Sequence, residues 1–184
     1  MSSRPVASSS PTIGGVTLVK PPSEVERYCQ ATADRLDRAI LCPSLLPANP
    51  LFPSTCCLNE RIFLIQEVFQ GPPSYVGMPA GDGSASDVGH LNIWSIPRRT
   101  LDTAGLGCTA RGRLVGTTDM NGAAARWIAC PAGSNPPQDS GHVLLQWSDS
   151  GIVYEVSVHT DTPVNRRLAL FIAEHLVFVE PQGG

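Results

Sequence analysis

At 184 residues with 42% hydrophobic content, the chain is long enough for one domain of ordinary size with a real core, but not for several. A formal net charge of -3, with only 16% charged residues, provides no positive field to gather phosphates, so nucleic acid is not an expected partner. The most apolar stretch, Leu168 to Val179, is too short to span a bilayer and is interrupted by Glu174 and His175, which argues against a membrane span.

In chain order, residues 1–15 are rich in Ser, Pro and Gly and read as a disordered tail, leaving 16–184 as a single domain. Met1 to Ser10 lacks the charged start, apolar stretch and processing site of an export signal. Ser23 and Glu26 have capping-box spacing. Val25, Tyr28, Cys29, Thr32, Leu36, Ala39 and Ile40 then recur at helical intervals, predicting a helix of four to five turns that ends at Cys42-Pro43. Pro43 to Pro53 carries four prolines and is expected to be irregular and extended. Arg61 to Phe69 reads as a strand, and Gln70 to Gly89, rich in Gly, Pro and Ser, as a long loop.

Further strands are predicted at His90 to Ile96, Ala110 to Gly116 and Ala123 to Cys130. The sharpest local signal is Ser150-Gly151, a type I′ turn between His142–Asp149 and Ile152–Thr160. That turn sets Trp147 opposite Tyr154, Leu145 opposite Val156 and Val143 opposite Val158 on a core-facing surface. Gln146, Ser148, Glu155, Ser157 and His159 fall on the other face, expected to be wet. Thr162-Pro163 then makes an N-cap and first helical position, followed by Val164, Leu168, Ile172 and Leu176 at spacings of four. The predicted fold class is α+β: an antiparallel sheet of about five to six strands, with an N-terminal and a C-terminal helix packed on it.

Six cysteines, Cys29, Cys42, Cys56, Cys57, Cys108 and Cys130, form an even set without a C-x-x-C pair, which points to disulfides in an oxidising compartment rather than zinc or thioredoxin chemistry. Six reduced thiols buried in a cytosolic core are the alternative. Adjacent Cys56 and Cys57 do not easily face one partner, so each is expected to bond a different one of Cys29 and Cys42, although spacing does not determine connectivity. Cys108 and Cys130 bracket a hairpin turning within Thr117 to Gly122. A turn centred on Asp119 sets the two cysteines opposite each other as the preferred bridge.

The same register places Arg111 across from Trp127 on the outward face, with Arg113 beside them, so Arg111, Arg113 and Trp127 are the candidate ligand-binding residues. A solvated arginine face screening one tryptophan is the plainer reading. His142 and His159 become cross-strand partners at the open end of the C-terminal hairpin. A metal there needs a third ligand, for which Asp161, His175 and His90 are the candidates. No catalytic residue and no cofactor is implied. Ser84 and Ser86 lack a nucleophile elbow, Lys20 lacks a phosphate-binding glycine loop, and Asp82 and Asp87 lack EF-hand spacing.

Lys20 is the only lysine, and the abundance of Arg, Ala, Gly and Pro suggests GC-rich, bacterial coding. From Gly141 onward, Trp147, Gly151, Tyr154, Asn165, Ile172 and Ala173 mark a tryptophan strand, a glycine turn, a tyrosine strand and an Asn-led helix. This C-terminal quarter resembles uncharacterised actinobacterial extracytoplasmic proteins and, more distantly, the sheet-plus-helix modules that anti-sigma factors hold outside the membrane. The resemblance implies a secreted or membrane-anchored domain and brings no catalytic residues. The expected function is non-catalytic binding of a small ligand or an envelope protein, with Gln70 to Gly89 and the Arg111, Arg113, Trp127 face as contact regions. A metal-dependent hydrolase using His142 and His159, or a structural subunit of a surface assembly, are the alternatives.

Overall fold

The computed structural model describes residues 10–21, 23–47, 74–79, 90–97, 112–131 and 141–183. The expected strand at Arg61 to Phe69, Arg111, Cys56, Cys57 and Cys108 lie outside them, as does most of the expected loop at Gln70 to Gly89.

The protein is α+β, with antiparallel strands, an N-terminal helix and a C-terminal helix. Strands β1 (Thr12–Ile13) and β2 (Val16–Val19) form a hairpin, so regular structure begins inside the stretch expected to be a tail. Helix α1 (Ser23–Leu36) follows, then β3 (Ile40–Pro43) and the short β4 (Leu46–Pro47), which pairs with β2. The central sheet is built from β5 (Ser74–Pro79), β6 (His90–Pro97), β7 (Arg113–Met120), β8 (Ala123–Ala129), β9 (His142–Asp149) and β10 (Ile152–His159). Its six strands run in the order β5-β6-β10-β9-β8-β7. Helix α2 (Pro163–Glu174) lies on β9 and β10, and β11 (Leu176–Val179) closes the chain by pairing with β3.

Three departures from expectation have local causes. Helix α1 stops at Leu36 rather than at Cys42. Asp37 adopts φ 48°, the Asp37 N–H reaches the Asp34 carbonyl and the Arg38 N–H reaches the Ala33 carbonyl, which together make a Schellman termination. The apolar run Ile40-Leu41-Cys42 is thereby freed to become a fully buried strand against β11. Leu176, expected on the C-terminal helix, falls on β11 because α2 ends at Glu174. Ser74–Pro79, expected to be loop, forms the edge strand β5 beside β6.

The two central hairpins show how far a turn dictates register. Ser150 (φ 48°) and Gly151 (φ 81°) form the expected turn, with positive φ at both positions, and all the predicted pairs follow, from Trp147 opposite Tyr154 to His142 opposite His159. In the preceding hairpin the turn is Asn121 (φ 51°) and Gly122 (φ 85°) rather than one centred on Asp119. The strand therefore runs from Arg113 to Met120, not from Ala110 to Gly116. With a bulge between Leu114 and Gly116, Trp127 sits opposite Gly116, and Arg113 opposite Ala129.

One face of the sheet carries Ile93, Tyr154, Val156, Val158, Val143, Leu145, Trp147, Ala125, Trp127 and Met120. These pack into a single core with Val25, Cys29 and Ala33 of α1 and Leu168, Ala169 and Ile172 of α2. Burial of each such large side chain contributes about 1.5–3 kcal/mol. Helix α2 is started by Thr162, whose hydroxyl accepts from the Asn165 N–H at 3.1 Å, with Pro163 at the first helical position as expected.

Cys29 and Cys42 are bonded to each other, with Cα atoms 6.3 Å apart, rather than to Cys56 and Cys57. The early stop of α1 reverses the chain and brings β3 back under the helix, so the two cysteines meet locally. Cys130 is also disulfide-bonded, and no described cysteine is free.

Candidate functional site

The second face of the sheet, expected to be wet, is buried at Gln146, Glu155 and Ser157, whereas Ser148 beside the turn is exposed as expected. Glu155 and Ser157 are 0% exposed, and Gln146 and His142 only 1%. The register explains how such a polar surface tolerates this. Arg126, Gln146, Glu155 and Trp94 are successive cross-strand neighbours on β8, β9, β10 and β6. The Arg126 guanidinium donates to the Gln146 side-chain oxygen, and the Gln146 amide nitrogen donates to Glu155 Oε1 at 2.5 Å. Gln146 thus serves as a neutral bridge between the exposed Arg126 guanidinium and the fully buried Glu155 side chain. A buried polar side chain is tolerable when it is hydrogen-bonded in this way. Two residues further along β10, Ser157 Oγ lies 2.5 Å from His142 Nδ1. Beside these groups Ile128, Cys130 and Leu144 form a small apolar cluster.

This arrangement alters the expected metal site. His142 and His159 are register partners as predicted, but His142 is engaged with Ser157. Of the expected third ligands, Asp161 is held in a fork by Arg166, at 2.6 and 2.7 Å, and His175 Nδ1 donates to the Phe171 carbonyl at 2.7 Å. Among the described residues, no three His, Cys, Asp or Glu side chains converge.

The expected arginine and tryptophan surface is also rearranged. Trp127 faces the core and is 6% exposed rather than outward-facing, because the bulge and the Asn121-Gly122 turn set the parity of the strand. The cation over its ring is Arg166 of α2, 5.6 Å from the centroid. The position opposite Trp127 is Gly116, where an added Cβ would lie 3.7 Å from both Arg166 Nη1 and the indole, so the guanidinium crosses the strand where there is no side chain. Arg166 is hydrogen-bonded to Asp161, which it holds below the usual carboxylate pKa, with Arg113 contributing from further away. Arg113 is exposed, while Arg111 lies outside the described residues. The structure therefore brings Arg113, Asp161 and Arg166 together beside Trp127. The role of Arg166 was not legible, because α2 and β8 are distant in sequence.

A third grouping extends the expected Trp147–Tyr154 pair with residues that the sequence did not place beside it. Trp147 and Tyr154, cross-strand partners on the core face, stack with centroids 5.6 Å apart, and Phe178 of β11 meets Tyr154 edge-on at 6.1 Å. Trp147 and Tyr154 are 7% and 6% exposed, whereas Phe178 is 56% and its neighbour Val177 47% exposed. Arg38 closes one side by donating to the carbonyl of Ser95, the residue paired with Tyr154, at 3.3 Å. Burial, reinforced by Asp149, raises the Tyr154 pKa against the opposing pull of Arg38, so the phenol stays neutral. The result is a ring fixed at its base and open at its tip. No local signal in the sequence marks Val177-Phe178 as a strand. Only its pairing with Cys42 and Leu41, more than a hundred residues away, turns it into a surface strand.

No family model, no curated protein and no solved structure matches the chain. Any function must therefore be argued from these three groupings. Among the described residues, no helix is long and apolar enough to cross a membrane.

Proposed function

We propose that this protein is a non-catalytic extracytoplasmic binding domain that meets a partner protein of the cell envelope through the surface around Phe178 and Val177. The observation that carries the proposal is the 56% exposure of a phenylalanine whose ring is already seated on Tyr154. An aromatic group held in place before binding loses little side-chain freedom on contact, and such groups dominate interface energetics. The compartment rests on the oxidised state of Cys29, Cys42 and Cys130, which oxidising environments favour. The non-catalytic reading rests on the polar row. His142, Ser157, Gln146 and Glu155 are engaged with one another at 0–1% exposure, where they order the sheet rather than meet a substrate.

A photo-crosslinking amino acid at position 178, compared with one at the exposed Thr117 on the far edge of the sheet, tests this in intact host cells. A discrete adduct from position 178 and none from position 117 is expected. No adduct from 178, or the same adducts from both positions, would remove the surface from consideration. Thiol trapping on the same cells should find Cys29 and Cys42 protected from alkylation until reductant is added.

A further inference from the structure

The turn joining β7 and β8 carries a chemistry separate from the proposed binding surface. Asn121 and Gly122 are both exposed, and the backbone nitrogen of Gly122 follows an asparagine side chain with no Cβ to crowd the approach. In such a pair the Gly122 nitrogen can attack Asn121 Cγ. A C–N bond forms, the Cγ–Nδ2 bond breaks, and ammonia leaves with the proton from the Gly122 nitrogen. Water then opens the resulting succinimide at either carbonyl to give aspartate or isoaspartate. The step needs only water and no change of oxidation state.

We infer that Asn121 is a modification site of this chain and that Asp119 restrains its conversion. The Gly122 N–H, whose nitrogen must become the nucleophile, donates to Asp119 Oδ1 at 2.9 Å. Removing that proton would place an amide anion against a carboxylate, which like-charge repulsion disfavours. The turn adds a second restraint. With φ 51° at Asn121 and 85° at Gly122, the pair is held in the type I′ geometry that the hairpin register requires, and it must open for the side chain to swing onto the nitrogen. Conversion to isoaspartate inserts an extra backbone carbon into a loop whose length fixes the register. The Met120–Ala123 end of the hairpin would then lose its pairing, exposing the buried Met120.

The test is prolonged incubation of the folded protein at mildly alkaline pH, followed by peptide mapping for the mass gain of about one dalton that accompanies deamidation and enzymatic labelling of isoaspartate. Wild type, Asp119→Asn and Asp119→Ala are compared. Loss of one hydrogen bond corresponds to about a fivefold change in rate, so Asp119→Ala should convert about five times faster at Asn121. Asp119→Asn, which keeps an acceptor without the charge, should fall between. Asn165, buried and followed by Arg166, is the internal reference and should stay intact. Conversion in Asp119→Ala at or below the wild-type rate would overturn the inference, as would absence of conversion in all three proteins. Melting midpoints within a few degrees of one another establish that rates are compared in folded molecules.

Discussion

Removing the Cys29–Cys42 bridge by the double substitution Cys29→Ala, Cys42→Ala should destabilise the protein by about 3 kcal/mol. The bridge spans a sequence separation of 13. For a loop of that size the entropy withheld from the unfolded chain, evaluated at room temperature, gives about 3 kcal/mol. Both cysteines are buried, at 1% and 3% exposure, so trimming them to alanine adds a packing loss in the same direction. At about 2–4 °C per kcal/mol for a chain of this length, the melting midpoint should fall by about 6–12 °C. Chemical denaturation supplies a second signature. An unfolded chain freed of the cross-link is more expanded, so the denaturant slope should rise rather than fall. A midpoint change below about 2 °C, with an unchanged circular dichroism spectrum and slope, would refute the chain-entropy reasoning. It would mean that the end of α1 and the start of β3 already hold the two positions together in the unfolded ensemble.

Other substitutions probe other parts of the fold. Thr162→Ala removes the hydroxyl that accepts the Asn165 N–H and should cost about 1 kcal/mol in a denaturation midpoint, whereas Thr162→Ser should cost much less. Gly151→Val forces a β-branched residue to φ 81° and should cost about 1–3 kcal/mol, with Gly183→Val near the C-terminus as a neutral control. Because Arg166 holds Asp161 below its ordinary pKa, the contribution of this pair is present above the unfolded value near 4 and is lost as pH falls through the folded one. Thermal melts should therefore show Asp161→Asn costing up to about 1 kcal/mol near neutrality and nothing at strongly acid pH; an equal penalty at both would contradict the assignment. Gln146→Leu takes away the amide between Arg126 and Glu155 and should cost about 1–3 kcal/mol by denaturant titration, although leucine is the more apolar residue.

Much of this fold is legible wherever a feature is local. Ser150-Gly151 specifies its own turn and, through it, every pair of the β9–β10 hairpin. Thr162-Pro163 specifies the start of α2 just as directly. Asn121-Gly122 is an equally strong turn signal. Setting Cys108 opposite Cys130 subordinated it to an assumed bridge, which displaced the strand and turned Trp127 to the wrong face. The termination of α1 was weakly written, since aspartate at Asp37 tolerates the left-handed conformation without requiring it. Distant pairings left no local mark: β3 with β11, Arg166 over Trp127, and Phe178 against Tyr154.

The buried polar face shows why composition alone misassigns surfaces. Alternation of Leu144, Gln146 and Ser148 with Val143, Leu145 and Trp147 identifies two faces of β9 but not which of them meets water. A glutamate on a half-apolar strand reads as solvated unless its partner is known, and here it is Gln146 on β9, which in turn accepts from Arg126 on β8. Once Gln146 joins Arg126 to Glu155, the row becomes a registration device. A slip of β9 by one residue would separate the amide from both of its partners and place Leu145 against them, a far costlier misalignment than a slip between two apolar faces. The hydrogen-bonded row therefore fixes the central strands relative to one another, and the rigid hairpin so defined holds Tyr154 where Phe178 can rest on it.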